Sequence, residues 1–214
     1  MIRYVFCAAT GRCGTNYLAD LLGAHPQIVA RHEPAPNMQG EMMRAWNEGR
    51  PEAMRAAMPE KFAAIEAARG DKIYVETSNA FLKGFGWELL RGGYIKPEET
   101  LLVHLERNGN LPEWIESLRA YNFGTDMHWS ILPTDHEAAW FGDHPDICVW
   151  YIEEIFARRS KMRGEFPEIN LAFFDLDELN TQIGVEVLLH LLGLRMTLGV
   201  KARIGVRVNV RSRA

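Results

Sequence analysis

A glycine-containing turn near the start of the chain carries the residues best suited to bind an anion. It reads Thr-Gly-Arg-Cys-Gly-Thr-Asn over residues 10–16, and it joins a short apolar run to a segment of helical spacing. Glycines permit a tight turn whose backbone N–H groups converge, and the start of a helix adds partial positive charge. Arg12 adds a guanidinium with a planar set of donors. The pattern predicts a phosphate- or sulfate-binding loop, with an ordinary strand-to-helix turn as the alternative.

The same turn differs from the loop that binds nucleoside triphosphates with Mg²⁺, which reads G-x-x-x-x-G-K-[ST]. When the second glycine of that motif is aligned with Gly14, Ala9 replaces its first glycine, Thr15 its lysine and Asn16 its Mg²⁺-binding hydroxyl. An ATPase or GTPase needs those groups to neutralise the transferred phosphate. The sequence therefore disfavours that class, and a P-loop kinase acting on a small molecule stays as an alternative function.

Residues 10–34 resemble the opening of sulfotransferases that use 3′-phosphoadenylyl sulfate (PAPS). The shared features are the run T-G-R-C-G-T-N-Y-L, then L-L-G-A-H-P, then H-E-P. A loop of the type GRSGT grips the 5′-phosphosulfate in that family, so the resemblance implies a donor-binding loop here. Its residues are Gly11, Arg12, Cys13, Gly14, Thr15 and Asn16. Cys13 stands where the family has serine, which removes one hydroxyl donor.

A second segment resembles the part of that family in which an arginine and a serine hold the 3′-phosphate of the cofactor. The apolar run 101–105 leads to Arg107, and a helical segment then carries Ser117. The gap between them is ten residues rather than the usual eight, and Ser117 bonding its own helix backbone is an alternative. The family also closes its cofactor site with a basic C-terminal segment, so Arg207 is a further candidate for the 3′-phosphate.

Glu33 is our first candidate for the base that takes the proton of the acceptor. It resembles the glutamate of carbohydrate- and tyrosine-sulfating relatives, with a helix-start carboxylate as the alternative interpretation. A positioned base contributes roughly 10² to 10⁴ in rate. His32 competes for the role, because adjacent side chains of an extended segment point in opposite directions, and Glu76 is the third candidate. Arg12 is the candidate to stabilise charge on the leaving oxygens, whereas Thr77 stands where relatives often carry lysine.

These residues together predict a PAPS-dependent sulfotransferase that moves a sulfuryl group to a hydroxyl or amine. PAPS is the expected co-substrate, the acceptor is expected to be a small molecule, carbohydrate or lipid, and no metal is expected. A non-catalytic sulfotransferase-like nucleotide-binding domain is an alternative, because Cys13 and Thr77 depart from the family pattern. His128, His136 and His144 recur near aspartates, but their spacing fits no local metal-ligand motif. Loop histidines are the favoured interpretation, and a metal site is the other.

The elements that must position these residues alternate between strand and helix. Apolar runs that predict strands lie at residues 4–9, 27–30, 72–76, 101–105 and 171–174. Intervening helical segments imply crossover connections, and hence an α/β fold with a mostly parallel sheet flanked by helices. Ligands then bind at the carboxyl ends of the strands. The resemblance implies the P-loop-containing nucleoside triphosphate hydrolase-like architecture of sulfotransferases.

One domain is expected over residues 1–214, since a domain holds about 150 residues. It contains a helical insert at about residues 35–70 broken by Pro51 and Pro59, a loop-rich segment at about 121–147, and a basic C-terminal strand at 197–214. That last prediction rests on valines that alternate with basic residues. In the loop-rich segment, Trp129 and its aromatic neighbours are candidates to line an acceptor pocket.

Composition and charge exclude several function classes. The chain has 24 basic and 28 acidic residues and a net charge of −4, which disfavours nucleic-acid binding. Six of the basic residues lie within 195–214, and their positive charge would attract a phosphate group. Three cysteines without a C-x-x-C pair do not form a disulfide framework. No apolar run reaches the ~20 residues that span a bilayer, and no secretory signal is recognisable, so we expect a cytoplasmic protein.

Overall fold

The sheet of this computed structural model places β1 at its centre. Residues 1–107, 111–119, 131 and 144–206 are described, and their sheet contains five strands in the order β2-β3-β1-β4-β5, with every neighbouring pair parallel. The strands are β1 Tyr4–Ala8, β2 Ile28–Arg31, β3 Ile73–Glu76, β4 Thr100–Glu106 and β5 Asn170–Asp175. The expected parallel α/β architecture is therefore confirmed.

Helices flank this sheet and connect its strands. They are α1 Thr15–Gly23, α2 Glu41–Asn47, α3 Glu52–Arg69, α4 Phe85–Arg91, α5 Leu111–Arg119, α6 His144–Glu165, α7 Leu176–Leu179, α8 Gln182–Leu191 and α9 Leu198–Lys201. Short 3₁₀ turns lie at Phe81–Lys83 and Pro97–Glu99. No helix of the described residues is long and apolar enough to cross a membrane.

The strand order creates a crevice at the carboxyl edge of the sheet. All five residues of β1 are buried, because β1 has β3 on one side and β4 on the other. The chain leaves β1 toward β2 and β3, whereas it leaves β4 toward β5 on the opposite side. Loops that diverge in this way leave a ligand-sized opening between them. This topology predicts a ligand site between the turn after β1 and the segment after β4, which are the two segments singled out by sequence.

Two predictions about helix boundaries were wrong. Pro59 lies inside α3 instead of breaking it. Pro59 is exposed, so solvent reaches the carbonyl group one turn earlier, which has no hydrogen-bond donor because proline lacks an N–H. Met54, Met58 and Ile65 are buried, and their packing against the core stabilises the helix. The apolar spacing also predicts one helix over residues 178–192. The structure divides this segment between α7 and α8, because the Thr181 side chain accepts a hydrogen bond from Gly184 N and caps the second helix.

The C-terminal strand expected from residue 197 is wrong over residues 198–201, which form α9. Thr197 Oγ1 accepts a hydrogen bond from Val200 N and caps that helix at a distance of 3.3 Å. Turns then follow up to Gly205, whose φ is +72°. Residues 207–214, which include Arg207, lie outside the described residues. The prediction for that basic segment stays a prediction.

Candidate functional site

The turn after β1 has the unusual backbone that its sequence predicts. Gly11 and Gly14 have φ values of +104° and +88°, in the region that favours glycine. Arg12 between them also has a positive φ, +60°, which is uncommon for a residue with a side chain. A Cβ atom on Gly14 would lie 2.4 Å from Leu176 Cδ1. The backbone conformation favours glycine at position 14, where α1 begins, and a side chain there would also displace the end of Leu176.

Side chains from later elements bind the carbonyl groups of this turn. Tyr151 on α6 donates to Thr10 O at 2.6 Å. Trp114 on α5 donates to Gly11 O at 3.4 Å, and Arg107 donates to Arg12 O at 3.4 Å. Three successive carbonyls therefore point toward the protein. Because consecutive peptide groups then present their N–H sides to the concave side of the turn, the arrangement suits an oxyanion.

Cys13 contributes through its backbone rather than its thiol. The residue is fully buried, and burial raises the pKa of the thiol to about 11. The charges of Lys83 and Arg107 oppose this rise in pKa. A neutral, enclosed thiol is a poor nucleophile and a weak donor. The backbone N–H is therefore the group of Cys13 that is available to a ligand.

Arg12, Arg107 and Ser117 meet beside the turn. Arg12 Nε donates to Ser117 Oγ at 3.2 Å, although the two residues are 105 positions apart. Arg107 bridges the turn and α5, because its second guanidinium nitrogen lies 2.8 Å from Glu113 Oε1. The structure thus brings together the residues proposed for the two phosphate groups of PAPS. Glu113 is an acid that competes with a phosphate for Arg107.

Glu33 follows β2 in a left-handed backbone conformation, with φ of +47°. Its Oε1 accepts hydrogen bonds from Gln39 Nε2 at 3.0 Å and from Asn79 Nδ2 at 3.4 Å. No helix begins at Glu33, since α2 starts at Glu41, so the helix-start interpretation was wrong. Both amides donate to the same carboxylate oxygen and so fix the orientation of the Glu33 side chain.

A buried lysine connects Glu33 with the turn after β1. Lys83 is fully buried, and its Nζ donates to Asn79 Oδ1 at 2.9 Å, which leaves the NH₂ group of Asn79 for Glu33. Lys83 Nζ also lies 5.1 Å from the ring centroid of Tyr151, whose hydroxyl binds the turn. Burial lowers the pKa of Lys83 well below its usual range; the charge of Arg158 lowers it further and that of Glu33 opposes this. Glu33 therefore lies near the candidate anion site.

The two other candidates for the base have different surroundings. His32 Nδ1 lies 3.1 Å from Thr77 Oγ1, a different partner from those of Glu33. Glu76 is buried in an ion pair with Lys61 at 2.9 Å and accepts a hydrogen bond from Tyr74 at 2.8 Å. Burial raises the pKa of Glu76, although Lys61 opposes the rise. Glu76 is thus enclosed in the core, and Glu33 is the more accessible carboxylate.

A cleft of about 390 Å³ lies between α2, α4 and α6. Its walls include Trp46, Trp87, Arg158 and Lys161. Arg158 also lies within 3.5 Å of Leu82 O and lowers the pKa of the adjacent Lys83. Lys161 is ten residues beyond Tyr151 on α6, a rise of about 15 Å. The Lys161 end of the cleft is therefore remote from the turn, whereas Arg158 lines the part of the cleft near Lys83.

Sequence reasoning missed the side chains that support the site from behind. They are Gln39, Asn79, Lys83, Trp114, Tyr151 and Arg158. The position of Asn79, shortly after a strand, was a usable signal, because polar residues at the carboxyl ends of neighbouring parallel strands converge. His128, His136, Trp129 and Arg207 lie outside the described residues, as do the side-chain contacts of His144. Among the described residues, no group of three or more potential metal ligands occurs.

The fold as a whole is similar to that of a sulfotransferase. A crystal structure of sulfotransferase STF1 from Mycobacterium tuberculosis H37Rv matches with a TM-score of 0.56 and 13% sequence identity. The match covers 95% of this chain and 71% of that chain. At this identity the likeness shows the fold, which confirms the expected sulfotransferase-like architecture. Neither a protein-family profile nor a curated protein sequence matches the chain.

Proposed function

We propose that the chain is a sulfotransferase that uses PAPS as donor and a small-molecule, carbohydrate or lipid hydroxyl or amine as acceptor. The observation that carries this proposal is the turn after β1, whose carbonyls are held toward the protein and away from its concave side by Tyr151, Trp114 and Arg107. Such a turn suits a sulfonate or phosphate group. The fold, which is that of a sulfotransferase, supports the same activity.

In the proposed reaction the acceptor oxygen or nitrogen attacks the sulfur of PAPS, and the bond from sulfur to the bridging phosphate oxygen breaks. The acceptor's proton passes to the Glu33 carboxylate, and adenosine 3′,5′-bisphosphate leaves. Arg12 and the turn stabilise the charge that develops on the leaving oxygens. Arg107 and Ser117 are proposed to hold the 3′-phosphate, with Arg207 as a further candidate. The anchored turn contributes mainly by positioning the donor.

Sulfate transfer from radiolabelled PAPS to a pool of sugar, phenol and lipid acceptors tests this function. Glu33→Gln should reduce transfer by roughly 10² to 10⁴, because it removes the base, and it should leave donor binding intact. Gln39→Leu, which removes one donor to Glu33, should cause a smaller loss. Donor binding without transfer by the native chain would favour the non-catalytic nucleotide-binding domain.

The ion pair between Arg107 and Glu113 offers a test of the 3′-phosphate assignment. Glu113→Gln removes the acid that competes for Arg107 and should tighten binding of adenosine 3′,5′-bisphosphate severalfold. Arg107→Gln should weaken it by about 10- to 100-fold, since hydrogen bonds to charged groups contribute about 1.5–3 kcal/mol. Binding of adenosine 5′-phosphate, which lacks the 3′-phosphate, should respond little to Glu113→Gln. It should respond less than the bisphosphate to Arg107→Gln, which also removes one donor to the turn. Equal effects on both nucleotides would overturn the assignment.

A further inference from the structure

The outer edge of β5 is open to another strand. β5 is last in the sheet order and pairs with β4, so within the described chain its other edge has no strand beside it. Every second N–H and C=O group of such a strand faces away from its neighbour. An edge of this kind is a template for β-strand addition.

An apolar groove lies along this edge. It has a volume of about 450 Å³ and lies between β5 and α8. Four of the eight large apolar side chains that are exposed among the described residues line it. They are Phe173, 53% exposed, Ile183, 76%, Val187, 49%, and Leu191, 45%. Because three of them follow a four-residue spacing on α8, the groove is a continuous apolar surface rather than scattered residues.

The described chain ends next to this groove. Gly205 N donates to Tyr17 Oη at 3.0 Å, and that hydroxyl donates to Leu179 O at 2.9 Å. A Cβ atom on Gly205 would lie 4.0 Å from Asn180 O. Asn180 immediately precedes Thr181, which lines the groove. The segment beyond Gly205 therefore starts between α1 and the end of α7, the short helix that directly follows the carboxyl end of β5.

The sequence of that segment matches the groove in pattern, length and charge. Residues 206–210 read Val-Arg-Val-Asn-Val, and residues 206–214 contain three arginines and no acid. Five extended residues span about 17 Å, close to the roughly 20 Å of a six-residue strand such as β5. Asp177, Glu178 and Glu186 are exposed acids on or beside the groove. Valines therefore match the apolar surface, and arginines match its acidic surroundings.

We propose that residues 206–214 dock on β5 as an additional antiparallel strand of the same chain. The antiparallel direction follows because the segment starts at the carboxyl end of β5 and must run back along it. Val208 and Val210 contact the groove, while Arg207, Asn209 and Arg211 face the other side. Val206, 42% exposed, belongs to the turn that leads into the strand and lies outside the groove. The short connection gives the segment a high effective concentration, which favours it over a second copy. Docking also keeps Arg207 near the carboxyl edge of the sheet, where the candidate site lies. This inference does not depend on the proposed activity.

Hydrogen–deuterium exchange of the β5 peptide tests the proposal. The full chain is compared with a chain that ends at Gly205 and with Val208→Asp, in which a charge enters the groove. Exchange of the β5 amides should become at least tenfold faster in both variants. Asn209→Asp is the matched control, since it adds the same charge on the opposite side of the strand and should leave exchange within twofold of the native rate.

Three results would overturn the proposal. Exchange of β5 that is unchanged by truncation would show that the segment does not cover the edge. Equal effects of Val208→Asp and Asn209→Asp would show that added charge, rather than side-chain alternation, is responsible. Protection that falls on dilution, together with a dimer in light scattering, would identify a second copy as the occupant. Concentration-independent protection of a monomer, lost in Val208→Asp alone of the two point variants, supports the docked strand.

Discussion

His104 should make the stability of the protein depend on pH between about 3 and 6.5. This β4 residue is 1% exposed and packs between Phe156 and Phe173, with ring centroids 4.9 and 5.8 Å away. Burial and then the charge of Arg159 lower the pKa of His104 from 6.5 to about 3. Glu106 Oε1 lies 2.8 Å from His104 Nε2, but neither ring nitrogen forms a hydrogen bond within the described residues. Burial therefore dominates, and the imidazole is neutral in the folded state.

The sign and size of the effect follow from proton linkage. The unfolded chain binds the proton at about pH 6.5 and the folded chain only at about pH 3, so stability is fully present above 6.5 and is lost as the pH falls. Between pH 8 and pH 5, this single group should lower the free energy of unfolding by about 2 kcal/mol, at about 1.36 kcal/mol per pKa unit.

Urea denaturation of the native chain and His104→Leu at pH 8 and pH 5 measures this contribution. The variant should lose about 2 kcal/mol less than the native chain between the two pH values, whatever its stability at pH 8. His190→Leu is the matched control, because His190 is exposed. An identical pH dependence in the native chain and His104→Leu would refute the reasoning. A native chain that gains stability at pH 5 through His104 would instead indicate an ion pair with Glu106.

Two further predictions concern the turn and the buried lysine. Gly14→Ala should lower the free energy of unfolding by about 3 kcal/mol in urea denaturation, because a close contact with Leu176 adds to the strain of the left-handed backbone. Gly49→Ala is the control, since Gly49 has a similar φ with open space around it, and it should cost only about 1 kcal/mol. Lys83→Met should reduce sulfate transfer about tenfold with nucleotide binding nearly unchanged, because Glu33 loses the fixed orientation of its amide donor. Loss of nucleotide binding in Lys83→Met, or equal costs of the two alanine variants, would contradict these assignments.

The anion-binding turn could be predicted because its signal is local. Gly11 and Gly14 permit backbone angles that other residues rarely adopt, so their spacing after an apolar run limits the structures available. The alternation of short apolar runs with helical segments predicted the parallel sheet for a similar reason. The contact of Arg12 with Ser117 across 105 positions was not predicted, because the family resemblance implied only that both residues bind the same cofactor.

The support behind the site could not be predicted, because it depends on which helix face meets the turn. In the sequence, Tyr151 is one residue of a helical segment, and nothing near it indicates its contact with Thr10. The same holds for Lys83, which lies in a short turn, and its contact with Asn79. The C-terminal strand failed at residues 198–201 for a different reason. The cap at Thr197 favoured a helix there, so the alternation of Val200 and its neighbours was misleading.

Isothermal titration calorimetry with adenosine 3′,5′-bisphosphate, the product that PAPS leaves after transfer, tests most directly whether the turn after β1 binds the donor nucleotide. The native chain should bind one equivalent, Arg12→Ala should weaken binding by about 10- to 100-fold, and Arg44→Ala, a change on the exposed side of α2, should leave it unaltered. ATP with Mg²⁺ should bind more weakly than the bisphosphate. Absence of bisphosphate binding at millimolar concentration, tighter binding of ATP with Mg²⁺, or an Arg12→Ala variant that binds as well as the native chain would contradict the proposed donor site.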